Sequence, residues 1–159
     1  MLGVDCIRQY PIFTGLNEAE LAEIAARMVK RTFARGTYLF YPGNPDSNIY
    51  LIEAGLVRLF FYDSKGDEYL LNLLGPRSIL GQPMMTEKPV RLLGASVQSS
   101  AVLLALAHED LICMMKSSNQ LALNMYTEMI SAVRKLLLHY QSIITTGLEG
   151  RIAALLLHL

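Results

Sequence analysis

The sequence predicts an α+β fold: an antiparallel β-roll of short strands, preceded by helices and followed by one long helix. Two changes of period carry this reading. From Arg31 to Leu106, short runs rich in Tyr, Phe, Val, Ile and Leu alternate with Gly, Pro, Asn and Asp clusters at roughly ten-residue intervals, the spacing of short antiparallel strands. On either side of that region the apolar residues recur at helical spacing instead.

The first helix is signalled by Asn17-Glu18-Ala19-Glu20, a capping residue with a carboxylate three positions on, followed by Leu21, Ile24, Ala25 and Met28. Ile7, Tyr10, Ile12, Phe13 and Leu16 form an apolar cluster before it, broken by Pro11 and Gly15. Strands are expected at 37–41, 49–53, 56–62, 68–74, 93–98 and 101–106. Asp63-Ser64-Lys65-Gly66-Asp67 reads as a hairpin loop, with Gly66 free to take a positive φ. The other glycines, Gly36, Gly43, Gly55 and Gly75, fall at expected strand ends.

After His108-Glu109-Asp110 the helical period returns, and Asn119 to Thr145 contains neither Gly nor Pro. Leu123, Tyr126, Ile130, Val133, Leu137, Tyr140 and Ile144 fit an unbroken a/d heptad seam, the pattern of a helix that pairs with a copy of itself. A second stripe, Ala122, Met125, Met129, Ala132, Leu136 and Ile143, runs beside it, so the helix needs two apolar neighbours. The β-roll is expected to cover one and a second copy the other. Thr146-Gly147-Leu148-Glu149-Gly150 breaks the pattern like a hinge, and Arg151 opens a new apolar helix. The expected organisation is therefore 1–116 for the roll with its N-terminal helices, 117–146 for the dimerisation helix, and 147–159 for a hinge and the start of a further domain.

Composition narrows the function. The chain has 159 residues, 52% of them hydrophobic and 18% charged, against a usual charged share of about 25%. Disorder is excluded by that balance, and no run of about 18 apolar residues offers a membrane span. Fourteen basic and fourteen acidic side chains leave no net charge, which argues against this piece holding nucleic acid unaided. Cys6 and Cys113 suit neither a metal site nor a disulfide framework, and no signal peptide opens the chain, so a cytoplasmic protein is expected. The excess of apolar residues calls for a partner surface.

Several motifs then add a resemblance. Phe13-Thr14-Gly15-Leu16 with Glu20-Leu21 and Ile24-Ala25, Gly36, Leu39-Phe40, Pro42-Gly43, Tyr50-Leu51-Ile52, Gly55-Leu56-Val57-Arg58-Leu59, Gly66-Asp67-Glu68 and Leu73-Leu74-Gly75-Pro76 follow one another in order. Past the hinge stands Arg151-Ile152-Ala153. The ordered set resembles the cyclic AMP receptor protein / fumarate-nitrate reduction regulator (CRP/FNR) family. The resemblance implies a cyclic-nucleotide-binding-like jelly roll, a dimerisation helix, and a winged-helix domain beyond Leu159 that reads DNA.

In members of that family that bind cyclic nucleotides, a cassette beginning Gly-Glu and ending Arg-Ser-Ala or Arg-Thr-Ala holds the phosphate and the ribose hydroxyl. Here Gly81 and Arg91 match, but Gln82 replaces the Glu and Leu92 the hydroxyl residue. Pro83 removes a backbone donor, and Leu136 and Leu137 stand where relatives offer polar groups to the base. Each unpaired polar group of a nucleotide would cost roughly 1–3 kcal/mol, so the cassette argues against cyclic AMP. The candidate ligand-binding residues are Gly81, Gln82, Met84, Met85, Arg91, Leu92, Leu93, Leu136 and Leu137, suited to an apolar or aromatic molecule with an anionic group facing Arg91. They could equally fill core, and Arg91 could be a solvated charge or an ion-pair partner.

Two cysteines cannot hold an iron–sulfur cluster; haem stays open as an alternative, with Met84 and Met85 in the cassette. His108 falls after the last strand, His158 past the hinge, and His139 beside the seam, where it reads as a solvated or packed histidine rather than a ligand. A cupin-type enzyme would need histidines in the barrel, and none precedes His108. The expected function is the ligand-sensing and dimerisation part of a bacterial transcription regulator, not an enzyme. A stand-alone regulatory module acting through a protein partner is the alternative.

Overall fold

Pro11 and Gly15 cut the N-terminal apolar cluster into short pieces, and the computed structural model, which describes residues 2–45, 47–81 and 90–145 apart from the side chains of residues 139 and 142–145, folds them accordingly. Helix α1 (Val4–Arg8) leads into a 3-10 turn (Pro11–Phe13) and helix α2 (Glu18–Arg27). Both bonds of the α2 capping box form: the Asn17 side chain accepts from the Glu20 N–H at 2.9 Å, and Glu20 accepts from the Asn17 N–H at 2.8 Å. The buried Tyr10 hydroxyl donates to the Ile52 carbonyl at 2.8 Å, fastening this entry to the sheet. Burial, with the nearby Glu53 carboxylate second, pushes its phenol up to about 12.

Strands β1 (Val29–Phe33), β2 (Tyr38–Phe40), β3 (Asn48–Tyr62), β4 (Glu68–Leu74), β5 (Ile79–Leu80) and β6 (Gly94–Ala107) follow. All pairings are antiparallel, in the order β1-β6-β3-β4, with β2 also on β6 and β5 also on β3. The antiparallel roll and its flanking helices are as the sequence predicts.

The sequence divides the two central strands, and the structure does not. Residues 49–53 and 56–62 lie in the single strand β3, and the expected strands 93–98 and 101–106 fall together in β6, which starts one residue later, at Gly94. Gly55 and the Ser99-Ser100 pair look like turn residues but sit at bulges, where the β3–β6 register shifts between Ile52, Ala54, Leu56 and Val57. Strand β1 escapes the pattern because its first four residues are exposed, leaving no alternation to read.

The middle of β3 and of β6 is buried on both faces. Ile49, Leu51, Leu104 and Leu106 pack with the N-terminal helices, while Ile52, Val57, Val97 and Leu103 fill the roll. The predicted hairpin loop forms as expected: the Asp63 carboxylate accepts from the N–H groups of Lys65 at 2.8 Å and Asp67 at 3.0 Å.

The chain leaves the sheet through α3 (His108–Ser117) and α4 (Asn119–Thr145). The buried Ser118 joins them and ties α4 to the N-terminus: its hydroxyl donates to Glu20 Oε1 at 2.6 Å and accepts from the Leu121 N–H at 3.3 Å. The Asn124 amide adds bonds to the carbonyls of Ile12 at 3.0 Å and Thr14 at 2.7 Å. Replacing Ser118 by Ala is expected to lower stability by about 1 kcal/mol, the usual worth of such a cap, read from urea midpoints.

The Ser118 hydroxyl, then the Asn17 N–H, hold the Glu20 carboxyl below the usual range against the opposing effect of burial. A depressed carboxylate stabilises the fold fully above its unfolded pKa and loses that stabilisation as pH falls through the folded value. Glu20→Gln is therefore expected to flatten the acid limb of a stability-against-pH curve, which the parent chain should show.

Candidate functional site

Arg91 lies in the short segment leading into β6, where its own N–H donates to the Asn44 carbonyl at 3.0 Å and its carbonyl accepts from the Gly43 N–H at 2.7 Å. Those two bonds pin it beside the turn that follows β2 and aim its side chain into the roll. The residue is only 3% exposed. Its guanidinium lies on the face of the buried Phe40, 3.8 Å from the ring centroid, and 5.8 Å from that of Tyr50. Its Nη2 donates to the Asn48 carbonyl. The alternative of a solvated surface charge is thereby excluded.

Gly81 makes this placement feasible. It has a φ of +99°, and a Cβ there would stand 2.6 Å from Arg91 Nη1 and 2.8 Å from the Asn48 oxygen. The two cassette residues that match the family motif thus meet in space, ten positions apart in sequence. A buried guanidinium is costly unless its donors and its π faces are met; here Phe40 and Tyr50 meet the face and the Asn48 carbonyl takes the Nη2 donor. Arg91→Met is expected to cost about 1–3 kcal/mol, the range of a desolvated cation–π contact plus a charged hydrogen bond, measured by chemical unfolding.

The architecture around this pair decides the family. The cyclic nucleotide-binding domain family matches residues 30–118, which run from β1 through Ser118. The chain belongs to that family. Its relatives are regulators of the CRP/FNR type that the sequence resembles. One is the cyclic AMP receptor protein of Thermus thermophilus, 28% identical over 149 residues, covering 94% of this chain and 69% of the relative. The crystal structure of the Thermus thermophilus catabolite activator protein superposes with a TM-score of 0.73 at 28% identity, over 84% of this chain and 62% of that one. The N-terminal domain of a transcriptional regulator from Streptomyces coelicolor gives 0.66 at 29% identity, over 83% of this chain and 92% of that one. The chain therefore spans about two thirds of the length of its full-length relatives.

Within this cyclic nucleotide-binding fold, the other candidate ligand residues are scattered. Leu92, at the position of the family's hydroxyl residue, is 74% exposed, and Leu93 beside it is partly buried. Leu136 and Leu137 stand on the far part of α4, both more than half exposed, so they do not close a pocket around Arg91 within one chain. Gln82, Met84 and Met85 lie outside the described residues. The same holds for the hinge at 147–150, for Arg151, and for the side chains of His139 and Ile144. His108 opens α3 and donates its N–H to the Ser47 carbonyl at 3.0 Å. Among the described residues, no three His, Cys, Asp or Glu side chains gather as a metal site.

Sequence reasoning missed Phe40, Tyr50 and Asn48. An arginine placed among apolar strands needs an aromatic face and a carbonyl, which is a signal that aromatic residues occupy neighbouring strands. The sequence does not say which of its thirteen Phe and Tyr residues do so (five and eight).

The α4 helix holds the largest surprise. The sequence expects the β-roll to cover its second stripe, yet only the base is covered: Leu121 and Met125 are buried against α3 and the N-terminal 3-10 turn. Beyond them Met129, Ala132 and Leu136 are exposed along with the seam.

Proposed function

We propose that this chain is the ligand-sensing and dimerisation part of a bacterial CRP/FNR-type transcription regulator that does not respond to cyclic AMP. In this reading residues 1–116 sense, 117–146 dimerise, and a DNA-reading domain follows the hinge in the cytoplasmic full-length protein. The observation that carries it is the α4 seam. Leu123, Tyr126, Ile130, Val133, Leu137 and Tyr140 are 50 to 63% exposed along one line of an unbroken helix, apolar surface that a second copy would cover. No helix among the described residues is long and apolar enough to cross a membrane.

The departure from cyclic AMP rests on Arg91 together with Gln82 and Leu92. The guanidinium is already engaged by Phe40 and the Asn48 carbonyl, so a cyclic phosphate would have to draw it away from both. Leu92 offers no hydroxyl donor, and Gln82 no carboxylate for a ribose hydroxyl. An apolar or aromatic effector makes no such demand. Its binding would reach DNA by changing how the two α4 helices meet.

Calorimetric titration of cyclic AMP into the purified chain, alongside light scattering, tests both halves. No heat at millimolar nucleotide and a dimer mass are expected. Micromolar binding would overturn the ligand assignment, and a monomer at high concentration the dimer. Native mass spectrometry with an absorption spectrum would then reveal a retained small molecule or a haem.

A further inference from the structure

Side chains that alternate along the strands give the β2–β6–β3 part of the sheet two sides. Val57, Ala95 and Val97 turn into the roll, together with Phe40 and the Arg91 site. Tyr38, Arg58 and Ser96 take the other side, where Ser96 stands opposite both Tyr38 and Arg58 in the ladder. Between them lies a cleft of about 140 Å³ that Arg35 and Gln98 also line.

The walls of this cleft are held in position. Gly36, with a φ of +85°, donates its N–H to the Val97 carbonyl at 2.8 Å, and the Val97 N–H donates to the Thr37 carbonyl at 2.8 Å. Those two bonds fix the backbone next to Arg35 against β6. The Arg58 guanidinium lies over the Phe60 ring, 5.2 Å from its centroid. Its Nε donates to Ser96 Oγ at 2.7 Å, and its Nη2 is paired with Glu68 Oε1 at 2.7 Å. Among the described residues nothing takes its Nη1, and nothing takes the Arg35 guanidinium. Ser96 is only 3% exposed, and its hydroxyl, which accepts from Arg58, still has its own hydrogen to donate.

Donors therefore converge on the cleft without an acceptor between them. Two guanidinia set like charges near one another, and Glu68 answers only one edge of one of them. An oxyanion placed between the two would offset that repulsion, and the bonds arginine makes to carboxylate or phosphate are the strong, charge-assisted kind. The Ser96 hydroxyl and the Gln98 amide add neutral donors. The volume is well below the roughly 300–1,000 Å³ of a pocket for a drug-sized ligand, which suits a small anion and not a nucleotide.

We infer that this outer cleft binds a small oxyanion, a carboxylate or a phosphate held between Arg35 and Arg58. The anion would join the segment before β2 to β3 and β6. The site is separate from that of Arg91, and it depends neither on how α4 pairs nor on which molecule the roll senses.

Isothermal titration of inorganic phosphate and of succinate into the 159-residue chain, at constant ionic strength in chloride, is the test. At least one of the two is expected to saturate, and the one that does names the group bound. Arg35→Gln should weaken that binding about tenfold or more, as loss of a charge-assisted hydrogen bond does. Its circular dichroism should not change, because Arg35 is exposed. Lys116→Gln removes the same charge from an exposed position on α3 and should leave the affinity within about twofold. The backbone amide signals of Gly36, Ser96 and Gln98 should shift along the same titration curve, which places the anion without any substitution. Three results would each overturn the inference: no saturation by either anion, an affinity that Arg35→Gln leaves unchanged or lowers no more than Lys116→Gln, and saturation during which those three signals stay still.

Discussion

Gly55→Ala is expected to destabilise the fold severely. A Cβ at residue 55 would strike the Ser100 carbonyl oxygen and stand 2.6 Å from the Ala101 Cα, both of them backbone or nearly so and unable to swing away. The residue also has a φ of +87°, which costs an L-residue about 1–2 kcal/mol on its own. Overpacking adds about 1–3 kcal/mol. The sum, about 2–5 kcal/mol, is a large share of the stability of an ordinary domain. The effect should be strong because Gly55 marks the bulge where β3 bends against β6, and these two strands make the largest contact between elements of the fold. Urea unfolding followed by circular dichroism is the measurement. A loss below about 1 kcal/mol would show that the bulge can relax, and that the tight fit at Gly55 is not needed.

The second large effect concerns association rather than folding. Val133→Glu combined with Leu137→Glu is expected to abolish the dimer while leaving the protomer folded. Both residues are more than half exposed in one chain, so the protomer loses little by the exchange. In a closed seam the same changes would set four carboxylates against apolar knobs and against each other. A cost of at least about 4 kcal/mol follows from a few buried, unpaired charges, which weakens association on the order of a thousandfold. Scattering at several concentrations reads the mass, and circular dichroism verifies the fold. A double variant that still dimerises would place the interface elsewhere. A variant that unfolds would show that α4 is held by more than its base.

The elements that were legible in the sequence share a physical property: their pattern is local. The α2 capping box is written in four consecutive residues and the 63–67 hairpin loop in five, and both form where they were expected; the uninterrupted helical period after Asn119 likewise gives one helix, Asn119–Thr145. What could not be read depends on partners distant in sequence. Gly55 reads as a turn until Val102 and Ser99 are set opposite its neighbours, when it becomes a bulge in one continuous strand. Strand β1 has no alternation because the sheet edge it occupies is wet. Arg91 was visible as a candidate through the family motif, but its actual companions, Phe40 in β2 and Asn48 and Tyr50 in β3, come from strands more than forty residues away in sequence. The exposure of Leu136 and Leu137 was likewise hidden, since periodicity reports that a stripe is apolar and not how far the neighbouring surface extends.

One junction carries a mechanical consequence. Ser118 and Asn124 fasten the start of α4 to Glu20, Ile12 and Thr14, all of them in the N-terminal segment rather than in the roll. That junction is a fulcrum, and the helix beyond it is a lever. From Asn124 to Thr145 the arm is about 31 Å long, so a tilt of about 5° at its base swings the tip through about 3 Å. The first twenty residues of the chain therefore set the pointing direction of its far end, and the angular tolerance of three hydrogen bonds limits how precisely whatever follows α4 can be aimed.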